Sequence, residues 1–85
     1  MTVARVVVYT KYYCVFCNRA KALLRAKNVD FREFDITDDV NLQDEVNRRS
    51  GRMTVPQIFI DEEPIGGYEE LRRLEESGEL DRLLA

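Results

Sequence analysis

The sequence predicts one small α/β domain in which a four-stranded mixed sheet is flanked by helices, in the order β-α-β-α-β-β-α. Runs of β-branched and aromatic residues alternate with segments whose apolar residues recur at helical spacing. Polar or glycine-containing turns separate these segments. A chain of 85 residues has room for a single hydrophobic core, so we expect one domain over residues 1–85.

The first predicted strand covers residues 3–9, because Val3 to Tyr9 is rich in β-branched residues. The first helix is predicted over about residues 14–27, with apolar side chains on one face and basic side chains on the other. Asn28 is of a type that commonly ends helices. The residues predicted to face inward from this helix are Cys17, Ala20, Leu23 and Leu24.

The second strand is predicted between Val29 and Ile36, with its alternation interrupted in the middle. Residues 37–39, Thr-Asp-Asp, are candidate N-caps for a second helix that carries Leu42 and Val46 inward. This helix is predicted to end at Ser50-Gly51, where glycine can adopt the left-handed conformation of a helix C-cap.

The third strand is predicted over residues 55–60, followed by a turn at 61–63 and a short strand at Pro64-Ile65. Gly66-Gly67 precedes a third helix, and Gly78 separates that helix from a final apolar turn. The predicted core consists of Val6, Val8, Leu23, Leu24, Phe34, Ile58 and Ile60.

The charge of the chain is unevenly distributed, although the net charge is only −3. The residues before Asp30 include six basic side chains and no acidic one, whereas the remainder has seven basic and sixteen acidic side chains. The basic segment is expected to stabilise an anionic sulfur and to attract an anionic partner. Nucleic-acid binding is not expected, because the overall balance is acidic and no basic stripe is interleaved with aromatics.

No signal peptide or membrane-spanning segment is recognisable, since Arg5 interrupts the first apolar stretch and no apolar run is long enough to span a bilayer. We therefore expect a cytoplasmic protein with no membrane association. Cysteines in that compartment are kept largely reduced, so a closely spaced pair there is more often catalytic than structural.

The two cysteines of the chain form a C-x-x-C motif, Cys14-Val15-Phe16-Cys17, between the first predicted strand and the first predicted helix. This placement is typical of a thioredoxin-like redox pair. Unpaired N–H groups and the positive end of the helix dipole favour a thiolate at Cys14. The spacing therefore predicts an accessible attacking sulfur at Cys14 and a more shielded resolving sulfur at Cys17.

Three other interpretations of the cysteine pair are weaker. Buried apolar filler is a common role for cysteine, but it does not account for the spacing or the position at a strand–helix junction. Zinc requires about four ligands, and one chain with two cysteines and no histidine cannot complete such a site. A structural disulfide would close a loop too short to constrain the unfolded chain greatly.

Four segments, in this order, resemble the glutaredoxins, the glutathione-dependent branch of the thioredoxin superfamily. They are Val8-Tyr9-Thr10-Lys11, Ala20-Lys21-Ala22-Leu23-Leu24, Thr54-Val55-Pro56-Gln57-Ile58-Phe59 and Ile65-Gly66-Gly67. The similarity extends over nearly the whole chain and implies a thioredoxin-like fold. The general thioredoxin pattern has tryptophan before the first cysteine, where this chain has Tyr13.

The resemblance implies specific roles around the cysteine pair. Pro56 resembles the family's cis-proline opposite the redox pair, which leaves the backbone of Val55 free to pair with a peptide-like ligand. Lys11 resembles a lysine that neutralises a glutathione carboxylate. Gly66 and Gly67 allow close approach to a helix N-terminus that can bind the γ-glutamyl carboxylate. The implied glutathione-binding residues are Lys11, Phe16, Thr54, Val55, Pro56, Gly67, Tyr68 and Glu69, with no metal ligand.

Two parts of the motif depart from the common family pattern. Proline and tyrosine usually separate the cysteines, whereas Val15 and Phe16 do so here. Cysteine or serine followed by aspartate usually succeeds the double glycine, whereas Tyr68 and Glu69 do so here. We expect the second departure to weaken glutathione recognition without altering the redox pair.

The resemblance implies a monomeric, glutathione-dependent oxidoreductase that acts on disulfide-bonded or glutathionylated proteins. One alternative is a reductase of the same fold that receives electrons from a flavoprotein thioredoxin reductase. Another is a homodimer that holds a [2Fe–2S] cluster between two Cys14 thiolates and two glutathiones, because some glutaredoxins without proline after the first cysteine do so.

Overall fold

The strands and helices follow the predicted order in the computed structural model, which describes residues 4–85. Its elements are β1 Val6–Thr10, α1 Val15–Ala26, β2 Arg32–Asp35, α2 Val40–Ser50, β3 Gln57–Ile60, β4 Glu63–Gly66, α3 Tyr68–Ser77 and α4 Glu79–Leu84. The segment predicted as a final turn is thus a short helix, α4. Val3, the predicted start of the first strand, lies outside the described residues.

The strands form a mixed sheet in the order β2-β1-β3-β4. β1 and β2 are parallel and are connected through α1, whereas β3 is antiparallel to both β1 and β4. This arrangement confirms the predicted four-stranded mixed sheet. It also places the end of β1, the start of α1 and the start of β3 next to one another.

Helices cover both faces of the sheet. Successive residues of β1 point to opposite sides, so both faces carry apolar side chains that the helices bury. On one face, β1 and β3 pack against α1, α3 and α4 through Val6, Val8, Ala20, Leu24, Ile58, Ile60, Leu71 and Leu80. On the other face, α2 packs through a smaller cluster of Tyr9, Ile36, Val46 and Phe59. Arg49 of α2 also lies over the Phe59 ring, 4.4 Å from its centroid.

Phe34 is the one wrong assignment to the core, since its side chain is 36% exposed. It lies on β2, an edge strand all of whose residues are exposed. Its ring stacks on Tyr9 with a centroid separation of 5.7 Å, but this contact does not bury the side chain. Leu23 is partly buried and packs against the larger cluster.

The helix ends agree closely with the expected caps, whereas β2 and β3 are shorter than predicted and β4, at Glu63–Gly66, is longer. Asp39 is the N-cap of α2 and accepts a hydrogen bond from the Leu42 N–H at 3.0 Å. Gly51 ends this helix with φ of 73°, as its C-cap requires. β3 begins at Gln57, not at Val55, because Pro56 has no N–H to donate to a neighbouring strand. No helix within residues 4–85 is long and apolar enough to cross a membrane.

Candidate active site

Cys14 is the N-cap residue of α1, so its sulfur lies at the positive end of that helix. Its backbone is extended, and the N–H of Cys17 donates to Cys14 Sγ at 3.0 Å. No acidic residue occupies the first turn of α1. The backbone and charge at this position therefore favour a negatively charged sulfur.

The two cysteines form a disulfide in this structure, with a Cα–Cα distance of 5.1 Å. Cys17 belongs to the buried face of α1 and is only 1% exposed, whereas Cys14 is half-buried. The difference agrees with the expected pairing of an accessible sulfur and a shielded one. A reacting partner can reach Cys14 without displacing the core residues that surround Cys17.

The segment before β3 lies beside the disulfide. Its Val55–Pro56 peptide bond is cis, as the resemblance implied. The carbonyl oxygen of Val55 lies 3.7 Å from Cys14 Sγ. The main chain of Val55 is therefore close enough to the reactive sulfur to contact a ligand that is bonded to it.

A groove of about 220 Å³ extends from this segment to the N-terminus of α3. Its lining residues are Phe16, Arg52, Thr54, Val55, Pro56, Gly67, Tyr68, Glu69 and Glu70. Seven of the eight residues expected to bind glutathione are in this set. The exception is Lys11, which lies half-buried in the loop between β1 and α1.

Arg52 and Glu70 line the groove but were not identified from the sequence. Arg52 Nη1 and Glu70 Oε1 are 2.7 Å apart, and the Gly67 N–H donates to the same carboxylate oxygen at 2.7 Å. These hydrogen bonds, the one from Arg52 foremost, hold the pKa of Glu70 below its usual range. Glutamate three residues after a helix N-cap is a capping-box signal that could have identified Glu70. Arg52 has no comparable local signal.

Gly66 permits the close approach of this ion pair to the main chain. Its φ is 118°, a conformation that favours glycine. A Cβ at this position would lie 2.7 Å from Glu70 Oε1 and 3.0 Å from Arg52 Nη1. The absence of a side chain at Gly66 thus leaves room for the Arg52–Glu70 pair at the end of the groove.

Tyr68 and Glu69, the two residues that depart from the family pattern, face different surroundings. The rings of Tyr68 and Phe16 lie 6.1 Å apart and form an aromatic wall between α3 and α1. Glu69 lies 3.0 Å from Arg72 on the next turn of α3, and this hydrogen bond lowers the pKa of Glu69. Part of the charge of Glu69 is therefore balanced within α3.

A larger groove, of about 680 Å³, lies between Tyr12 and the segment of residues 35–41. Three aspartates contribute to its lining, but none of the residues expected to bind glutathione does so. Within residues 4–85, no group of three or more histidine, cysteine, aspartate or glutamate side chains could hold a metal ion. The chemistry of the smaller groove, next to the disulfide, makes it the candidate active site.

The family model and the sequence relatives that match this chain are both glutaredoxins. The sequence model of the glutaredoxin family matches residues 6–65. Glutaredoxin 3 of Escherichia coli (strain K12) is 51% identical over 81 residues, which cover 95% of this chain and 98% of that protein.

Solved structures of glutaredoxins share this fold, and two of them illustrate the similarity. The solution structure of glutaredoxin from Brucella melitensis has a TM-score of 0.88 and 44% identity, and covers 99% of this chain and 91% of its own. A crystal structure of a buckwheat glutaredoxin–glutathione complex also has a TM-score of 0.88, with 26% identity and coverage of 95% and 76%.

Proposed function

This chain belongs to the glutaredoxin family and is a thiol–disulfide oxidoreductase, and from that premise we propose that its groove binds glutathione directly. The function of the family is glutathione-dependent disulfide exchange through a cysteine pair such as Cys14 and Cys17. The proposal concerns how this particular chain recognises glutathione and which sulfur reacts.

The observation that carries the proposal is the position of the groove. Its lining includes Val55, whose carbonyl oxygen lies 3.7 Å from Cys14 Sγ, together with Arg52 and the N-terminus of α3. Glutathione has a central thiol, peptide groups beside it and a carboxylate at each end. Its sulfur would bond to Cys14, its peptide groups would pair with Val55, and its carboxylates would interact with Arg52 and the start of α3.

Reduction of a glutathionylated protein needs one cysteine. The Cys14 thiolate attacks the glutathione sulfur of the mixed disulfide and forms a Cys14–glutathione disulfide, while the protein leaves as a thiolate that takes up a proton. A second glutathione thiolate then attacks the glutathione sulfur bonded to Cys14. This step releases oxidised glutathione and regenerates the Cys14 thiolate.

Reduction of a protein disulfide uses both cysteines. The Cys14 thiolate attacks one sulfur of the substrate disulfide, which breaks that bond, forms a Cys14–substrate mixed disulfide and releases the other sulfur as a thiolate. The Cys17 thiolate then attacks Cys14 Sγ, breaks the mixed disulfide and releases the remaining substrate thiolate. The product is the Cys14–Cys17 disulfide observed in this structure. Two glutathiones restore the dithiol and leave as oxidised glutathione. The N-terminus of α1 stabilises the attacking thiolate, so this mechanism requires no histidine base.

A titration with glutathione followed by NMR tests the proposal. Amide signals of the groove residues, Thr54, Val55 and Gly67 above all, should shift in both the dithiol and the disulfide form. Signals of Lys27, Glu75 and Asp81, which line a separate groove, serve as the internal control and should stay in place. Shifts confined to the control residues would contradict the proposal.

A variant sharpens the same test. Arg52→Gln should weaken glutathione binding about tenfold or more, since it removes a charge-assisted hydrogen bond. Arg48→Gln is the matched control, because Arg48 is an exposed arginine on α2 outside the groove. Equal affinities of the two variants would argue against Arg52 as a carboxylate ligand.

The two alternative functions predict different outcomes. Turnover with thioredoxin reductase and without glutathione would favour the flavoprotein-fed reductase. A brown colour with visible absorption after anaerobic purification would favour the cluster-binding dimer. The cytoplasmic location, the monomeric state, the protein substrates and the single-domain assignment over residues 1–85 stay predictions.

A further inference from the structure

A buried glutamine lies directly behind the groove. Gln57, the first residue of β3, is only 1% exposed, and the rest of that strand is apolar. Its Nε2 donates to the carbonyl oxygen of Thr54 at 2.8 Å and to Thr54 Oγ1 at 3.2 Å. Both amide protons of a buried side chain are therefore directed to one residue that lines the groove.

The other half of the Gln57 amide is unpaired. No described residue donates to Gln57 Oε1, although this oxygen is buried. The orientation of the amide follows from Thr54, because a carbonyl oxygen accepts hydrogen bonds only and so must face the nitrogen. An unpaired buried acceptor destabilises a fold, and an apolar residue of similar shape would avoid that cost. The compensating effect of Gln57 is its pair of hydrogen bonds to Thr54.

These bonds determine what Thr54 can offer to a ligand. The Thr54 hydroxyl accepts from Gln57, so its own proton is free to be donated to another acceptor. Thr54 is exposed, lines the groove and precedes Val55, whose carbonyl lies beside Cys14 Sγ. The Gln57 amide thus fixes both the main chain and the hydroxyl of Thr54 next to the reactive sulfur.

We propose that Gln57 is a positioning residue for glutathione recognition, which acts through Thr54 and does not touch the ligand. The inference rests on the proposed function of the groove. In the groove, the Thr54 hydroxyl donates to an acceptor oxygen of the glutathionyl group while Gln57 holds that hydroxyl in place. Disulfide exchange itself, at Cys14 and Cys17, does not involve Gln57.

Gln57→Met is the central test, because methionine has a similar volume and no amide. With an S-glutathionylated peptide as substrate, KM should rise about three- to tenfold, and kcat should change little. The melting temperature should fall little or not at all, since the substitution also removes the unpaired Oε1. A merely structural role would instead lower the melting temperature and leave KM unchanged.

Gln43→Met is the matched control. Gln43 Nε2 also donates to two oxygens, the carbonyls of Ile36 at 2.6 Å and Thr37 at 3.0 Å, but this segment lies outside the groove. The control variant should lose stability and keep the KM of the wild type. An equal rise in KM for both variants would overturn the inference.

Two further measurements distinguish a specific effect of Gln57 on glutathione recognition from a general disturbance of the active site. With a peptide whose mixed disulfide carries cysteine in place of glutathione, Gln57→Met should leave KM unchanged, because the γ-glutamyl and glycyl groups are missing. In a Thr54→Val background, Gln57→Met should have a clearly smaller effect than in the wild type. Additive effects of the two substitutions would contradict action through the Thr54 hydroxyl.

The inference can fail independently of the proposed function. A wild-type protein that does not prefer the glutathionylated peptide over the cysteinylated one would contradict the proposed function. A preserved preference together with wild-type KM in Gln57→Met would overturn only the role of Gln57. If that variant does not fold, the side-chain amide signals of Gln57 in the wild type should shift on addition of glutathione, and those of Gln43 should not. Unchanged Gln57 signals would then overturn the inference.

Discussion

The N-termini of α1 and α3 both border the groove, but they differ in their capping atoms and in the charge of their first turns. At the start of α1, the capping atom is the sulfur of Cys14, and no acidic side chain is present in the first turn. At the start of α3, the N-cap is Gly67, and the first turn contains Glu69 and Glu70. Glu70 itself accepts the Gly67 N–H and the Arg52 guanidinium.

The difference shows how one backbone feature supports two functions. Each helix start presents N–H groups and a positive dipole end. In α1, the N–H of Cys17 is directed to a reactive sulfur, so the positive end of this helix favours the thiolate form of Cys14. In α3, carboxylates of the chain already occupy part of the positive region, so a glutathione carboxylate bound there as proposed would share Arg52 and the N–H groups with them.

Removal of the sulfur at α1 should have the largest effect. Cys14→Ser should reduce all activity to background, because Cys17, the other cysteine at this helix start, is only 1% exposed and a substrate cannot reach it. Cys17→Ser should keep the reduction of small glutathione mixed disulfides and lose the reduction of protein disulfides. Parallel assays with the two substrates check this expectation. An equal loss of both activities in Cys17→Ser would contradict the one-cysteine step.

The second prediction concerns the electrostatics of α1. The rate of alkylation of Cys14 in the reduced protein, measured against pH, should have a midpoint well below the value of about 8.5 for free cysteine. The Cys17→Ser variant isolates the signal of Cys14. A midpoint near that of free cysteine would mean that the N–H groups of α1 do not stabilise the thiolate.

The third prediction concerns the side chains at the start of α3. Tyr68→Ser with Glu69→Asp removes the aromatic wall beside Phe16 and restores the common family pattern. The KM for glutathione should fall about tenfold, as expected for one recovered charge-assisted hydrogen bond. The alkylation midpoint of Cys14 should hardly change. An unchanged KM would mean either that Glu69 already makes this contact or that glutathione binds elsewhere, which would favour the flavoprotein-fed reductase.

The smallest effect is expected for the stability of Glu70→Gln, a variant that removes the charge of Glu70 and little else. Glu70→Gln can keep a hydrogen bond to the Gly67 N–H and loses the ion pair with Arg52. The pKa of Glu70 is lowered in the folded protein, so its ionised form stabilises the fold above the unfolded-state pKa of about 4.3. That contribution is lost as the pH falls through the folded-state pKa.

Thermal unfolding at several pH values measures this effect. The melting temperature of Glu70→Gln should be slightly below that of the wild type at pH 7, and the difference should vanish in strong acid. High salt should also reduce the difference, because the Arg52–Glu70 pair is partly exposed. A difference that persists in acid would point to packing and not to charge.

Much of the molecule follows from local sequence patterns. A segment rich in β-branched residues predicts β1, and helical spacing of Ala20 and Leu24 predicts the buried face of α1. The capping residues Asp39 and Gly51 lie where their side-chain and backbone preferences place them. These predictions succeed because they depend on neighbouring residues only. Phe34 fails because burial in a strand also depends on the strand's position in the sheet, and β2 is at the edge.

The sequence by itself determined the redox pair, the order of the elements up to α3 and most of the groove residues, because the spacing of Cys14 and Cys17 and the family motifs are local. Only the tertiary structure brought Arg52 to Glu70. The Arg52–Glu70 contact joins residues 18 positions apart in different segments. Its formation depends on the packing of α3 beside the segment before β3, which no local pattern specifies.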